Sequence, residues 1–570
     1  MACTSTLISF TTKSALIGAV LILLGFFVQG TFFIRANSQT VDEAMHLVAG
    51  YSYLTKKDFR LEPQNPPLLK ELFALPLFLV HRLPFNPDPQ LWHDRYGYLI
   101  GRDFLYKSAV PADRILALSR LPNLFLGGVL LVLTGWWAYR LWGNRAAMLA
   151  MALASLEPIL IAHSSLITTD IGVTLFIFLA LYLLWEYLNS PRWWVLVATG
   201  ISTGMALLSK YSAILLIPTL ALIVALPLII DRNPYTLLPL KQNEDELRHK
   251  LFQAAAVFSL ILFLAFLTVP SAYFFQGFQP WLSGLFEFLS LAQAGLLAFF
   301  LGEYSYQGWW SYFIISFLIK TPIGSLALIF ASFAFYRAGS PLRRRDAIVL
   351  LLPVVIFFTV MTQSKISIGL RHILPVYPLL FVLASRLATV RLHRPWLAPV
   401  LIGIPVVLTA ISSLRVAPHQ LAYFNELVGG PEEGYRYLSD SNLDWGQDLE
   451  GLKAYIDKNN LPMIYLSYFG TAPPSYYGIR YQYVPGAWPL EWPPPADKVP
   501  ATAPRKILAI SVYNLQDVST AYYPLFRWLW TRNPIAKIGY SIFVYDLTED
   551  REGLAKLEES YAKAGIQPPP

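Results

Sequence analysis

The apolar stretch SALIGAVLILLGFFVQGTFF, residues 14–33, is followed after a short gap by VDEAMHLVAGYSYLTKKDFRLEPQNPPLLK, residues 41–70. The first stretch matches the roughly 20 apolar residues that a hydrocarbon core requires and exceeds the apolar region of a cleaved signal. It therefore predicts a retained membrane anchor. The second stretch carries two adjacent carboxylates, Asp42 and Glu43, close to where this anchor ends. The acid pair marks a candidate site at the edge of the membrane.

Composition places the chain among polytopic membrane proteins. Of its 570 residues, 55% are hydrophobic and only 14% are charged, whereas soluble globular proteins carry about 25% charged residues. The formal net charge is +8. Lys and Arg occur in short clusters between apolar runs, which is typical of cytoplasmic loops and argues against a nucleic-acid partner. The single cysteine, Cys3, excludes an intrachain disulfide.

Apolar segments long enough to cross a bilayer recur through the first 414 residues. About eleven are predicted, each near the roughly 20 residues that a span requires. They lie at 14–34, 114–139, 146–164, 169–188, 193–209, 211–230, 251–271, 309–333, 347–363, 371–388 and 396–414. The predicted fold class is an all-α polytopic membrane bundle.

Basic residues fall in alternate loops between these segments. They are Arg140, Arg145, Arg192, Arg232, Arg248, Lys250, Arg337, Arg343, Arg344, Arg345, Arg386, Arg391 and Arg394. All of them lie on one side of the membrane if the N-terminus is cytoplasmic, as the positive-inside rule requires. We therefore expect a protein of the cytoplasmic (plasma) membrane whose C-terminal region is extracytoplasmic.

This orientation places three segments outside: a loop at 35–113 with the acid pair, a loop at 271–309, and the tail at 415–570. The loop at 271–309 has an apolar, membrane-hugging part at 285–301. The tail has strand-like runs at 463–469, 506–513 and 541–547. It also has helix-like runs at 448–459 and 522–530. A small extracytoplasmic α/β domain is therefore predicted after a transmembrane domain at 1–414.

Several ionisable residues lie within or beside the apolar segments and gather toward the outer face. They are Glu157, Asp170, Lys210, Lys365, Arg371 and His372, with Lys320 in the middle of a predicted span. An ionisable group near the bilayer centre costs about 2.5–3.5 kcal/mol on insertion scales, so such residues usually face the protein interior and serve function. Together they suggest a site that binds an anion and moves a proton.

Taken singly, each candidate also has a purely structural interpretation. Asp42 and Glu43 could be the solvated start of a loop, and Asp170 could be a helix cap. Lys210 could extend to the membrane interface, and Arg371 with His372 could contact lipid headgroups. Lys320 with Pro322 could mark a kinked helix that satisfies its polar group internally. The coincidence of all of them on one face favours the functional interpretation.

Six motifs occur in a familiar order: DEAMHLVAGYSYL, EPQNPPLLKEL, SLITTD, LLSKYS, LIKTPIG and GLRHILPVYPLL. The chain resembles, over roughly residues 14–414, the bacterial polyprenyl-phosphate-sugar-dependent glycosyltransferases of the GT-C superfold. These are relatives of the glycosyltransferase family 39 protein O-mannosyltransferases and of the lipid A aminoarabinose transferase. The tail segment LAYFNELVGGPEEGYRYLSDSNLDWGQDLEGL, residues 421–452, also resembles the tails of many bacterial members.

The resemblance implies roles for particular residues. The catalytic acid of the first outer loop matches Asp42, with Glu43 beside it, and a second acidic residue matches Asp170. Donor-phosphate contacts match Lys210 and Arg371. Further donor-phosphate candidates are His372 and Asn65, and additional site candidates are Glu157, Lys320, Lys365 and Tyr304. Relatives often carry Lys or His before the Pro pair of the first loop, where this chain has Asn65, which can donate only a neutral hydrogen bond.

The implied reaction is transfer of a sugar from a polyprenyl phosphate to an acceptor hydroxyl of a protein, lipid or glycan. We hypothesise that Asp42 is the general base and that single displacement inverts the sugar carbon. Asp170 would orient the acceptor or hold a divalent ion with Asp42; a metal is compatible with this chemistry but not required. The aromatic-rich segment 274–312 is either a wall for the lipid or an interfacial belt.

Two other classes of function are open at this point. A transporter or flippase for a lipid-linked or anionic substrate would place charges through the depth of the bundle and helix breaks near its midplane. A receptor-like protein would act through its outer domain. The concentration of ionisable residues on the outer face favours the enzyme.

Overall fold

The computed structural model describes residues 12–230, 246–335, 340–391, 394, 397–487 and 497–566. Two of the basic loop residues used for orientation, Arg232 and Arg337, lie outside the described residues, as does most of the N-terminal segment before the anchor.

Helices dominate the chain up to residue 416. They are α1 Thr12–Ala36, α2 Glu43–Lys56, α3 Leu68–Val80, α4 Pro89–His93, α5 Gly97–Tyr106, α6 Ala112–Trp142, α7 Asn144–Ser155, α8 Pro158–Ser164, α9 Asp170–Asn189, α10 Trp193–Ser209, α11 Leu216–Ile230, α12 Glu246–Thr268, α13 Gln279–Ala294, α14 Tyr312–Lys320, α15 Ile323–Ala334, α16 Arg344–Met361, α17 Val376–Ser385 and α18 Leu397–Val416. A short hairpin, β1 Ala298–Phe300 and β2 Glu303–Ser305, lies between α13 and α14.

Long apolar helices confirm an integral membrane protein. Within the described residues, 5 helical segments are long and apolar enough to cross a membrane: Lys13–Ala36, Ala112–Trp142, Asp170–Asn189, Lys250–Tyr273 and Leu397–Val416. Two bent pairs, α7 with α8 and α14 with α15, raise this number to 7. The remaining predicted spans correspond to α10, α11 and α17, which are shorter, and to α16, which begins with three charged residues.

Both bent pairs break at a proline. The α7–α8 pair bends by 67° before Pro158, and the α14–α15 pair bends by 113° at Pro322. Proline lacks the N–H that would continue the helix, and its ring clashes with the preceding turn. Lys320 is the last residue of α14 and lies at this break, in the middle of the bent pair, as the mid-span placement and the kinked-helix interpretation of Lys320 with Pro322 predicted.

The tail contains a five-stranded mixed sheet. Its strands are β3 Ile464–Ser467, β4 Tyr481–Tyr483, β5 Ile507–Ser511, β6 Ala536–Ile538 and β7 Ile542–Asp546, in the spatial order β4-β3-β5-β7-β6. β3 pairs in parallel with β4 and β5, and β7 pairs antiparallel with β5 and β6. The helices of the tail are α19 Leu449–Lys458, α20 Val512–Leu515 and α21 Arg551–Lys563.

The sequence predicted three of these strands and α19, but it was wrong about a helix at 522–530. Only a 3₁₀ turn, Arg527–Thr531, forms there. The Asp517 carboxylate accepts hydrogen bonds from the backbone N–H groups of Leu525 at 2.8 Å and Phe526 at 3.0 Å. This side chain therefore satisfies backbone donors that a helix would otherwise use.

The first part of the tail interlocks with the membrane bundle. The Asn425 side chain donates to the carbonyls of Leu318, at 2.7 Å, and Thr321, at 3.0 Å, at the end of α14. The Lys320 ammonium donates to the tail carbonyls of Leu421, at 2.9 Å, and Asn442. The tail thus supplies the partners that the broken helix end would otherwise lack.

We expect Asn425→Ala to destabilise the protein by about 2–6 kcal/mol, because one buried and one partly buried carbonyl would lose their donor at about 1–3 kcal/mol each. Denaturant unfolding of the detergent-solubilised protein measures this change. Asn459→Ala is the matched control, because the half-buried Asn459 side chain donates one bond of 2.8 Å within its own helix. Equal stability of the two variants would contradict a capping role for Asn425.

Candidate active site

The two acids of the first outer loop point to different environments. Asp42 immediately precedes α2 and Glu43 begins it. Successive side chains of a helix diverge by about 100°, so neighbouring acids cannot share one site. The Asp42 side chain is 24% exposed, whereas that of Glu43 is 0% exposed.

Glu43 forms a buried, bidentate ion pair with Arg120 of α6. Their contacts measure 2.8 Å from Nε to Oε1 and 2.7 Å from Nη2 to Oε2. The same carboxylate accepts from the N–H groups of Thr40 and Ile167, both at 2.9 Å. Burial favours the neutral acid, but the Arg120 guanidinium and these N–H groups hold the pKa of Glu43 below its ordinary value. Glu43 therefore stabilises the structure through Arg120, and its catalytic role stays a prediction.

Asp42 belongs to an array of four charged side chains. Arg371 Nη1 lies 3.5 Å from Asp42 Oδ2 and 3.8 Å from Asp170 Oδ2. Lys210 Nζ donates to Asp170 Oδ1 at 2.6 Å. The order is carboxylate, guanidinium, carboxylate, ammonium. Asp42 is the most exposed member, as a base that meets a substrate must be.

Three widely separated elements bring this array together. Asp170 opens α9, Lys210 follows α10, and Arg371 lies in the 3₁₀ turn Leu370–Ile373 before α17. These positions are helix starts or breaks, and the three side chains are largely buried where they meet. The sequence therefore predicted four residues that the structure places side by side.

Several residues around the array had no role in the sequence interpretation. Tyr98 OH donates to Asp42 Oδ1 at 3.3 Å, and the guanidinium of Arg371 lies 4.2 Å from the ring centroid of Trp445. Burial raises the pKa of Asp440 in the tail to about 6, although the charge of Arg371 opposes that rise. Tyr98, Trp445 and Asp440 carried no signal beyond their place in polar stretches. Arg120 carried one, as an arginine inside a predicted apolar span.

His372 and His163 are buried close to the array. His372 Nε2 and both ring nitrogens of His163 have no hydrogen-bond partner among the described residues. Their charges would interact with Asp170 and Arg371. His372, a predicted phosphate ligand, therefore lies near the site without a direct contact to Asp42 or Asp170 in the described part of the chain.

Asn65 belongs to a neighbouring buried cluster on α2 and the loop after it. Its side chain donates to Glu62 Oε1 at 2.8 Å, and Glu62 also contacts His46 Nδ1 at 2.8 Å. Lys70 donates to the Asn65 carbonyl at 2.7 Å. Burial would raise the pKa of Glu62, but His46 and Lys70 lower it to about 2. The side-chain N–H of Asn65 thus already has an acceptor, and its predicted contact to donor phosphate stays a prediction.

The remaining candidates do not join the array. Glu157 is fully buried at the α7–α8 break, and Lys320 is bonded to tail carbonyls. Lys365 is half-buried in the outer turn after α16. Tyr304 donates to the carbonyl of Gln516 in the tail at 2.5 Å. Their proposed site roles remain predictions.

The described residues contain no group of three or more His, Cys, Asp or Glu side chains arranged to hold a metal ion. Asp42 and Asp170 are separated by the Arg371 guanidinium, which already supplies positive charge between them. A divalent ion bound by these two carboxylates therefore stays a prediction.

The array lies largely within a region that matches a known family. Residues 19–280 match the model described as dolichyl-phosphate-mannose-protein mannosyltransferase. This region contains Asp42, Glu43, Asp170 and Lys210, while Arg371 lies beyond it. This region is therefore similar to a glycosyltransferase family, in agreement with the resemblance to GT-C glycosyltransferases. The expected enzyme class is confirmed.

Solved structures show distant likenesses. ArnT from Cupriavidus metallidurans, bound to undecaprenyl phosphate, is 15% identical with a TM-score of 0.48, covering 94% of this chain and 98% of that one. The Pmt1-Pmt2 complex of S. cerevisiae, bound to the sugar donor, is 19% identical with a TM-score of 0.35, covering 48% of this chain and 35% of that one. The Archaeoglobus fulgidus oligosaccharyltransferase in the apo form is 12% identical with a TM-score of 0.41, covering 70% of this chain and 56% of that one. At these TM-scores the likenesses carry no argument about residues or substrates. No curated protein sequence matches the chain.

We expect Glu43→Gln to destabilise the protein by about 3–5 kcal/mol, because removing one partner of a buried pair leaves Arg120 uncompensated. Asp42→Asn is the matched comparison, since it changes the adjacent acid in the same way at a partly exposed position and should destabilise the protein much less. Unfolding of both purified variants measures the difference. A Glu43→Gln variant as stable as Asp42→Asn would contradict the structural role.

Proposed function

We propose that this protein is an inverting glycosyltransferase that moves a sugar from a polyprenyl phosphate to an acceptor hydroxyl. The observation that carries the proposal is the array of Asp42, Arg371, Asp170 and Lys210. In it the partly exposed Asp42 adjoins Arg371, and Asp170 joins Arg371 to the second cation, Lys210. The family description names a lipid-phosphate sugar as the donor of related enzymes. The acceptor is the hydroxyl of a protein, a lipid or a glycan.

The proposed reaction is a single displacement. The acceptor hydroxyl gives its proton to the Asp42 carboxylate while its oxygen attacks the anomeric carbon of the sugar. The bond from that carbon to the phosphate oxygen breaks, and polyprenyl phosphate leaves with one more negative charge. Attack opposite the leaving group inverts the anomeric carbon. General base catalysis of this kind contributes typically about 10²–10⁴-fold.

Arg371 and Lys210 are the groups proposed to stabilise the leaving phosphate. Fixed cations aimed at developing charge are effective because they need no reorganisation during the reaction. Asp170 contacts both, at 2.6 Å from Lys210 and 3.8 Å from Arg371. We assign Asp170 the role of holding these cations in place, besides its predicted roles toward the acceptor or a metal.

The polyprenyl chain needs an apolar path that is open to lipid. Segment 274–312 presents Phe275, Phe286 and Trp310 with most of their surface exposed. Burial of a chain on such a surface contributes about 0.8 kcal/mol per CH₂ group. We propose that this segment forms the lipid wall.

The proposed topology places the array on the extracytoplasmic side. Counting α10, α11, α16 and α17 with the 7 candidate spans restores the predicted number of about eleven. The N-terminus is then cytoplasmic, the protein lies in the plasma membrane, and the tail covers the outer face as the predicted second domain.

A transporter or flippase for a lipid-linked or anionic substrate is the second candidate. It is favoured by the two bent helix pairs, one of which has the buried Glu157 at its break. Lys320, at the other break, is engaged by tail carbonyls and does not line an open path. Movement of a labelled polyprenyl phosphate across vesicles, independent of Asp42, would favour this alternative.

We expect Asp42→Asn to lower the transfer rate by about 10²–10⁴-fold, because the acceptor hydroxyl would lose its base. A panel of purified polyprenyl-phosphate sugars with radiolabelled sugar measures the transfer. Asp58→Asn is the matched control, since Asp58 lies in the same outer loop, is 26% exposed and pairs with Arg60. Near-wild-type transfer by Asp42→Asn would overturn the assignment.

We expect Arg371→Gln and Lys210→Gln each to lower kcat by about 10²–10³-fold, the usual loss when one preorganised donor to a developing anion is removed. Initial rates against donor concentration separate kcat from KM. Arg95→Gln is the control, because Arg95 forms an outer-loop ion pair with Glu287 at 3.1 Å away from the array. Unchanged kinetics in both variants would exclude these cations from the phosphate site.

A further inference from the structure

The tail segment SDSNLDWGQD, residues 439–448, is buried against the membrane bundle beside the array. The N–H of Ser38 donates to the Gln447 carbonyl at 2.8 Å, and that of Val41 donates to the Trp445 carbonyl at 2.9 Å. Val41 is the residue before Asp42. The tail segment therefore holds the backbone that presents the proposed base.

The same segment holds the backbone that presents Arg371. Asn442 Oδ1 accepts from the N–H of Leu370 at 3.0 Å, and the Ser441 hydroxyl donates to the Ile368 carbonyl at 2.9 Å. The Asn442 side chain also donates to the Tyr312 hydroxyl at 2.9 Å. Both sides of the Asp42–Arg371 contact thus rest on one stretch of the tail.

Trp445 is the residue of this stretch that faces the array directly. It is 2% exposed, and its ring centroid lies 4.2 Å from the Arg371 guanidinium carbon. A desolvated cation–π contact with Trp is about as strong as a good hydrogen bond, yet it needs no acceptor atom for the N–H groups of the guanidinium. The N–H groups, which point outward in the guanidinium plane, stay available to other partners.

Comparison with Arg120, another buried arginine, shows which donors of Arg371 this arrangement leaves without a close partner. Arg120 makes five hydrogen bonds, to Glu43 and to the carbonyls of Ile34, Asn37 and Ser38, at 2.7–3.1 Å. Arg371 has carboxylates only at 3.5 and 3.8 Å, beyond the 2.7–2.9 Å or so of a strong charge-assisted bond. Its Nε has no hydrogen-bond partner among the described residues. Arg371 is therefore held by the Trp445 ring and by long carboxylate contacts, and its Nε donor is unused.

We propose that Trp445 is a positioning residue that completes the polyprenyl-phosphate site by orienting the Arg371 guanidinium toward the phosphate. This inference rests on the proposed function, because it takes the phosphate of the lipid donor as the ligand of Arg371. It assigns the tail a part in the transfer site itself. The guanidinium edge binds two phosphate oxygens, as arginine does in other phosphate sites.

The test is binding of undecaprenyl phosphate to the full-length protein in detergent. Trp445→Phe keeps an aromatic face and should stay within about threefold of wild type. Trp445→Leu is apolar but removes that face and should weaken binding about tenfold. Thermal unfolding of both variants checks that each is folded. Equal affinity of the Phe and Leu variants would overturn the proposal.

Trp528→Leu is the matched control, since Trp528 of the tail packs on Arg532 at 4.7 Å in the same way but away from the array. It should bind as wild type does, and a tenfold loss there would overturn a site-specific role for Trp445. The double variant Arg371→Gln/Trp445→Leu should bind no worse than Arg371→Gln alone, because both changes remove one interaction. Additive losses would contradict action through Arg371.

The two proposals fail in different ways. If Arg371→Gln binds undecaprenyl phosphate as tightly as wild type, the phosphate role in the proposed function fails. If Arg371→Gln loses binding while Trp445→Leu keeps it, only the inference about Trp445 fails.

Discussion

The ion pair between Glu43 and Arg120 fixes the point at which the first membrane helix turns into the outer loop. Arg120 donates to the carbonyls of Ile34, Asn37 and Ser38 as well as to Glu43, and Glu43 in turn binds the N–H groups of Thr40 and Ile167. Charges buried in a low-dielectric interior are stable only when paired and fully hydrogen-bonded. This pair meets that condition. The position of Asp42, one residue earlier, depends on it.

The buried arginines Arg120 and Arg371 show how one residue type can serve either structure or ligand binding. Arg120 uses all its donors on the protein, so its charge is fully compensated and serves to lock the loop. Arg371 is held by an aromatic face and by longer contacts to carboxylates, so its donors remain open to a ligand. The difference lies in hydrogen-bond saturation and not in burial, since both side chains are nearly inaccessible.

The tail is part of the bundle as well as a separate sheet. Residues such as Phe424, Leu438 and Leu443 belong to the same hydrophobic cluster as the membrane helices. Asn425 caps the broken α14, and Asn442 holds the turn before Arg371. A broken helix inside a membrane protein exposes backbone groups that need partners. Here the tail supplies them, so the bundle and the start of the tail depend on each other.

The sequence by itself determined the membrane class, the places of most apolar helices and the gathering of ionisable residues on one face, because composition and apolar run length report directly on the bilayer. With the family resemblance it also singled out Asp42, Asp170, Lys210 and Arg371, which lie side by side. Only the tertiary structure decided that Glu43 is locked to Arg120, that Lys320 is bonded to carbonyls of the tail, and that Trp445 lies on Arg371. These facts are contacts between residues far apart in the chain. Such contacts decide whether the hydrogen-bond donors of a buried arginine are all used within the protein or remain available to a ligand. The local pattern of residues does not encode them.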